Sequence, residues 1–210
     1  MYSITKNYQA SYQDRGSKFI GLVFPANDTM MFAKALNRIQ EKYPDASHNC
    51  YAYRVNPEHL EEFSSDDGEP GGTAGLPILN ELKSAGLCNV GLIVVRYFGG
   101  SKLGKPGLIK AYGSTARKCI EKADILQLEP FYNFEIHYAY PVQKHIDQLK
   151  HNFNLSIQNE HFTESVTLQG YCLGAEVDAL QNMIQKLSAQ FGKSNVRGTI
   201  NTESVHYLAV

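Results

Sequence analysis

Three carboxylates, Asp66, Asp67 and Glu69, crowd into the stretch SDDGEPGGTAG at residues 65–75, with Gly68, Gly71, Gly72 and Gly75 around them. Oxygen ligands gathered on a flexible loop can hold a hard cation, hold a cationic partner, or simply face water. DDGE lacks the alternating ligand spacing of a calcium loop, and no second acidic cluster is visible, so neither a metal nor a cofactor is assigned. Glycines that let the backbone turn tightly into a helix near Thr73 account for the loop more simply.

About thirty residues later GGSKLGK presents the opposite charge. Gly99, Gly104 and Lys105 satisfy GxxxxGK between a strand and a helix, the setting of a phosphate-cradling P-loop. The next residue is Pro106, which has neither the hydroxyl that would ligate magnesium nor an N–H for phosphate. The NTPase reading fails there, but anion chemistry survives it. From Val90 to Arg117 there are five basic residues, Arg96, Lys102, Lys105, Lys110 and Arg117, and no acidic one. The Gly99–Gly100 turn brings several of them to a helix N-terminus, where free N–H groups and the helix dipole attract anions. Tyr97 and Phe98 stand beside it for stacking against a base. A second reading stands next to this one: the cations partner the acidic stretch, since Glu58, Glu61, Glu62, Asp66, Asp67 and Glu69 lie within twelve residues. Exposed pairs of that kind contribute only about 0–1 kcal/mol each, a weak reason to build them for stability alone.

His48 and Cys50, in ASHNCYAYRV, share one face of a strand, as residues two apart must. A nucleophile–base pair needs a third group to orient the base, and none is evident. A buried cysteine beside a hydrogen-bonded histidine is the simpler expectation, and no catalytic residue is assigned.

The elements that must carry these residues are legible from periodicity. SKFIGLVF (17–24) reads as a strand entered from a polar arm. NDTMMFAKALNRIQEKY reads as a helix with Phe32, Leu36 and Ile39 on one face and Asn27 or Asp28 as its cap. CYAYRV (50–55) is a strand, the stretch from Thr73 to Ala85 a helix, and NVGLIVVRYF (89–98) an apolar strand buried on both faces. Pro106 then opens a helix as its first residue. After Ala123 the pattern restarts: a strand with Phe134, Ile136 and Tyr138 alternating, a helix from Pro141, and strands near 153–159 and 165–172. A helix carrying Val177, Leu180, Ile184, Leu187 and Phe191 and a last extended segment at 195–202 complete it. That order is β-α-β-β-α-β, the split, ferredoxin-like arrangement. The expected fold class is α+β with two domains, 1–130 and 131–210.

Composition sets outer bounds. With 210 residues and 43% hydrophobic content the chain can bury a real core, and its formal net charge of -1 supplies no global field toward nucleic acid or anionic lipid. Any such binding must come from local clustering. Four scattered cysteines without zinc spacing, a polar N-terminus and no apolar run of spanning length point to the cytoplasm and away from a membrane.

The blocks ASHNCYAYRV, SDDGEPGGTAGLPIL and VVRYFGGSKLGKPGLIKAYG, in this order and spacing, together with GSKFIGLVFPA, resemble the signature of the IMPACT/YigZ family and cover most of residues 15–115. The resemblance implies an N-terminal α/β domain like the second domain of a small-subunit ribosomal protein and domain IV of elongation factor G. In bacterial two-domain members it implies a ferredoxin-like C-terminal domain similar to domain V of that factor. Eukaryotic members carry a further N-terminal protein-binding domain and restrain the amino-acid-starvation kinase pathway. The signature here starts within the first twenty residues, so that extra domain is not expected and the kinase-pathway role does not transfer. One departure from the family pattern is local: Lys105-Pro106 stands where LG-T-G-GL is usual, adding a cation and stiffening the turn.

The implied role is that of a translation-linked regulatory binding protein. It would contact RNA, the ribosome or a translation-associated protein through Arg96, Tyr97, Gly99, Gly100, Lys102, Lys105 and Lys110, with Asp66, Asp67, Glu69 and His48 ordering that face. The alternative is a metal- or phosphate-dependent hydrolytic enzyme using the acidic loop; a third possibility is a protein adaptor whose acidic loop makes the contact. The sequence gives no oligomeric state.

Overall fold

A computed structural model describes residues 1–209. It is a mixed α+β chain with two antiparallel sheets and five α-helices among the described residues, divided into two compact units, Met1–Leu128 and Glu129–Leu208.

In the first unit, β1 (Tyr2–Ile4) leads to β2 (Tyr8–Asp14), β3 (Ser17–Pro25), α1 (Thr29–Lys42), β4 (His48–Val55) and β5 (Glu61–Ser65). α2 (Gly75–Ser84), β6 (Val90–Tyr97) and α3 (Gly104–Ile120) follow. The main sheet runs β2-β3-β6-β4-β5, with every pair antiparallel. Its central strand β6 is buried on both faces, as its unbroken apolar run suggests. Leu92 and Val94 pack with α2 and α3, while Ile93 and Val95 pack on the side covered by α1. All four are fully buried, each such side chain favouring the fold by about 1.5–3 kcal/mol relative to exposure.

Some boundaries differ from the sequence reading for physical reasons. The polar arm is in fact β1 and the edge strand β2, where Ala10 is buried amid side chains that meet solvent. β2 turns into β3 through Arg15 and Gly16, both at positive φ (44° and 80°), the hairpin turn that matches strand twist. β5, EEFSS, has no apolar alternation to announce it and pairs with β4 as the opposite edge. α1 is capped as expected by Asp28, whose carboxylate accepts from the Met31 N–H at 2.7 Å. α3 begins at Gly104, two residues before Pro106; the proline fits because first-turn N–H groups have no intrahelical partner.

In the second unit β7 (Ile125–Tyr138) continues from the first, its Ile125–Gln127 end pairing with β1 and its Phe131–Tyr138 end with β9 (Val166–Leu173). α4 (Gln143–Asn152) and β8 (Ser156–Phe162) precede β9; α5 (Val177–Phe191) and β10 (Val196–Ala209) follow it. The sheet order is β1-β7-β9-β8, with β10 also pairing with β7. Phe134, Ile136 and Tyr138 alternate into a core shared with Ile146, Leu149, Leu180, Ile184 and Leu187. The strand expected at 153–159 begins three residues later, because Phe153 and Leu155 pack against that core as α4 ends.

Candidate functional site

β4 and β6 place His48 directly opposite Arg96, on the sheet face covered by α2 and α3. The acidic loop folds over this end of the two strands. Asp67 and Gly68 take positive φ (42° and 85°), and the Glu69 N–H closes the turn onto the Asp66 carbonyl at 2.9 Å; at φ 85° only glycine is unstrained.

Each of the three carboxylates meets a protein donor. Asp66 accepts from the N–H groups of Gly72 (2.8 Å), Ala74 (2.8 Å) and Gly75 (2.9 Å), and so caps the start of α2 from nine residues upstream. Burial pushes its carboxyl up, but the N–H donors of Gly72, Gly75, Ala74 and Thr73 outweigh that and hold it below its ordinary value. The Asp67 carboxylate accepts from the Asn49 N–H at 2.6 Å, and the Asp67 carbonyl accepts from His48 Nδ1 at 2.7 Å, which fixes the imidazole tautomer. Glu69 is buried; one oxygen accepts from Arg96 Nη1 at 2.5 Å and from the Tyr112 hydroxyl at 2.8 Å, with His48 Nε2 3.9 Å away.

Arg96 is therefore not a free surface cation. It is 6% exposed, its guanidinium lies 5.5 Å from the Phe19 ring centroid and 5.6 Å from that of Phe98, and its Nε is buried without a partner. Cys50 donates its thiol to the Asp66 carbonyl at 2.9 Å, and burial pushes that thiol far up, so it stays protonated. Burial, reinforced by Cys50 and Glu69, likewise keeps Tyr112 an O–H donor. His48, Cys50, Glu69, Arg96 and Tyr112 form an internal polar knot rather than a nucleophile with its base.

The remaining basic residues behave differently. Lys102, Lys105 and Lys110 are exposed, and among the described residues none lies within ion-pairing distance of a carboxylate. Among the described residues, the pairing of acidic loop with basic stretch is thus made by Glu69 and Arg96 alone. Lys102 and Lys105 line a cavity of about 410 Å³ with Glu69, Arg96, Phe98 and the first residue of α3, Gly104. Lys110 lies further along α3, outside that lining. Tyr97 alternates to the other sheet face and packs on the α1 side, whereas Phe98 is 52% exposed at the cavity. Gly100, at φ 85°, is exposed and turns the chain toward α3. Gly99 donates its N–H to Ser17 Oγ at 3.1 Å and lies so close to the β2–β3 turn that a Cβ would fall 1.9 Å from the Gly16 carbonyl carbon.

Tyr112 is a member of the site that its sequence motifs do not single out. A signal exists all the same: it shares a helical face with Leu108 and Ala116, and a buried tyrosine hydroxyl requires a partner.

Residues 15–120 match the Impact N-terminal domain family. The chain is 30% identical over 162 residues to IMPACT family member YvyE of Bacillus subtilis, covering 77% of this chain and 74% of that one. It is 35% identical over 153 residues to the IMPACT family member in pol 5'region of Thermus thermophilus, covering 71% and 80% respectively. A solved crystal structure of a hypothetical protein superposes with a TM-score of 0.68 and 25% identity, covering all of this chain and 96% of the other.

Proposed function

The chain belongs to the IMPACT family, and from that premise we propose a translation-linked regulatory binding protein that contacts RNA, alone or within the ribosome, through the cavity beside the start of α3. One observation carries this reading: Lys102 and Lys105 are unpaired by any carboxylate among the described residues, yet they converge with buried Arg96 at a helix N-terminus. Free N–H groups, the helix dipole and cations together favour a phosphate there, and the exposed Phe98 ring is available to stack on a base. The acidic loop serves as scaffold: Glu69 holds Arg96, and Asp66 holds the start of α2. A hydrolytic role for that loop has no comparable support, since its carboxylates are engaged with protein donors.

In the same reading the first unit is an IMPACT-type domain of the ribosomal-protein and elongation-factor-G domain IV kind. The second, with its β-α-β-β-α-β order, is ferredoxin-like and akin to domain V. The four buried, unpaired cysteines support a cytoplasmic setting. No helix among the described residues is long and apolar enough to cross a membrane.

Titration with labelled single-stranded and duplex RNA at several salt concentrations tests the proposal. Affinity is expected to fall steeply with salt. Lys102→Ala/Lys105→Ala is expected to flatten the logarithmic slope by about 0.7–0.9 for each phosphate that the variant no longer neutralises. Absent binding, or a variant indistinguishable from the parent, would sink the nucleic-acid reading.

A further inference from the structure

On the other side of the main sheet, α1 carries Lys34, Arg38 and Lys42 at a strict four-residue spacing, and all three line a groove of about 400 Å³ between that helix and the edge of β3. Four residues advance a helix by about 6 Å, so the cations form a row about 12 Å long. All three are exposed, and among the described residues none is paired with a carboxylate. Only Lys42, in the last turn of α1, gains from the helix dipole, and like charges one turn apart repel, so helix stability does not explain Lys34 and Arg38. Beneath it the floor is apolar: Leu22, Pro25 and Ile39 are half-buried, and Met31 is 43% exposed.

We propose that this groove is a docking site for an acidic amphipathic helix of a protein partner. Carboxylates on successive turns of such a helix repeat at the pitch of Lys34, Arg38 and Lys42, and its apolar stripe covers the floor, where the adaptable Met31 side chain closes the contact. Nucleic acid fits less well, because of the two aromatic residues that line the groove one is spent in the core and the other is tethered at its edge. Phe24 is buried and stacked on Phe32 at 5.8 Å, and the Tyr8 hydroxyl is tied to Asp124 at 2.9 Å. This surface is separate from the cavity beside α3 and does not depend on the role proposed for it.

Fluorescence anisotropy with two synthetic peptides of identical composition provides the test. One carries glutamates on successive turns beside a leucine stripe; in the other the order is shuffled so that the stripe disappears. The striped peptide is expected to bind at least about tenfold tighter than the shuffled one. Lys34→Glu/Arg38→Glu is expected to weaken it at least about tenfold, while Lys102→Ala/Lys105→Ala leaves it unchanged. Circular dichroism of each variant checks that the exposed substitutions leave the fold intact. Equal binding of both peptides, or none, overturns the proposal. So does displacement of the striped peptide by single-stranded RNA whose own binding needs Lys34 and Arg38. Self-association abolished by Lys34→Glu/Arg38→Glu overturns it too, by assigning the groove to a second copy of the chain.

Discussion

The carboxylates that first draw the eye are structural acceptors, and Asp66 shows how much a single side chain can hold. Its three hydrogen bonds reach the Gly72, Ala74 and Gly75 N–H groups, and its pKa lies below the ordinary 3.8. A carboxyl whose folded pKa is depressed stabilises the fold above its unfolded pKa, and that contribution is lost as pH falls through the folded value. Asp66→Asn is therefore expected to lower stability by about 1–3 kcal/mol at neutral pH, because one of its two oxygens becomes an amide NH2 facing N–H donors. Urea denaturation should show the gap between variant and parent narrowing below pH ~4 as the parent's own carboxylate is protonated. A gap constant with pH would refute the role given to the charge. At this scale the sequence reveals which residues cluster but not what they touch. Glu69 and Arg96 are 27 positions apart, and nothing in either motif says that one neutralises the other in the interior.

Elements are legible where periodicity is strong and hidden where it is not. β6 and α1 announce themselves through Val90–Val95 and through Phe32, Leu36 and Ile39, whereas the edge strands β2 and β5 look like loops because water covers much of them. The glycine turn after β6 has the spacing of a phosphate loop, yet Gly99 meets a different constraint, the backbone of the β2–β3 turn. Gly99→Ala is expected to force these two backbones apart and to cost about 1–3 kcal/mol, comparable to overpacking a core. Thermal unfolding measures the effect, and hydrogen exchange at the Gly99 N–H, which donates to Ser17 Oγ, reports whether the two turns have separated. An unchanged midpoint would mean that the loop relaxes without resistance.

For the whole molecule, the buried apolar residues fall into clusters that flank the first sheet on both faces and a further one that fills the second unit. The sequence boundary near residue 130 rests on a restart of pattern after Ala123, and the fold divides between Leu128 and Glu129. That the strand spanning this point is a single one, β7, is not visible in the sequence, since Pro130 within it reads as a break. Ile146 is fully buried in the second core, and Ile146→Ala is expected to cost about 2–5 kcal/mol through the cavity it leaves. Amide protection along Phe134–Tyr138, the strand segment that shares this core, should fall by the same free energy if global opening governs exchange there. Undiminished protection would show that the core collapses around the gap.

The tie from Asp66 to the start of α2 has a bearing on how this protein behaves inside a cell. A loop that clasps a helix makes its own integrity a condition of folding, so damage to it registers as missing protein before it registers as missing binding. A destabilisation of about 1–2 kcal/mol can change steady-state abundance several-fold through proteolysis of the unfolded fraction. Cells carrying substitutions in the acidic motif would then display a null phenotype whose origin is turnover. Under the RNA-binding proposal, Lys102 and Lys105, exposed and unpaired among the described residues, are where binding would be lost while the molecule persists.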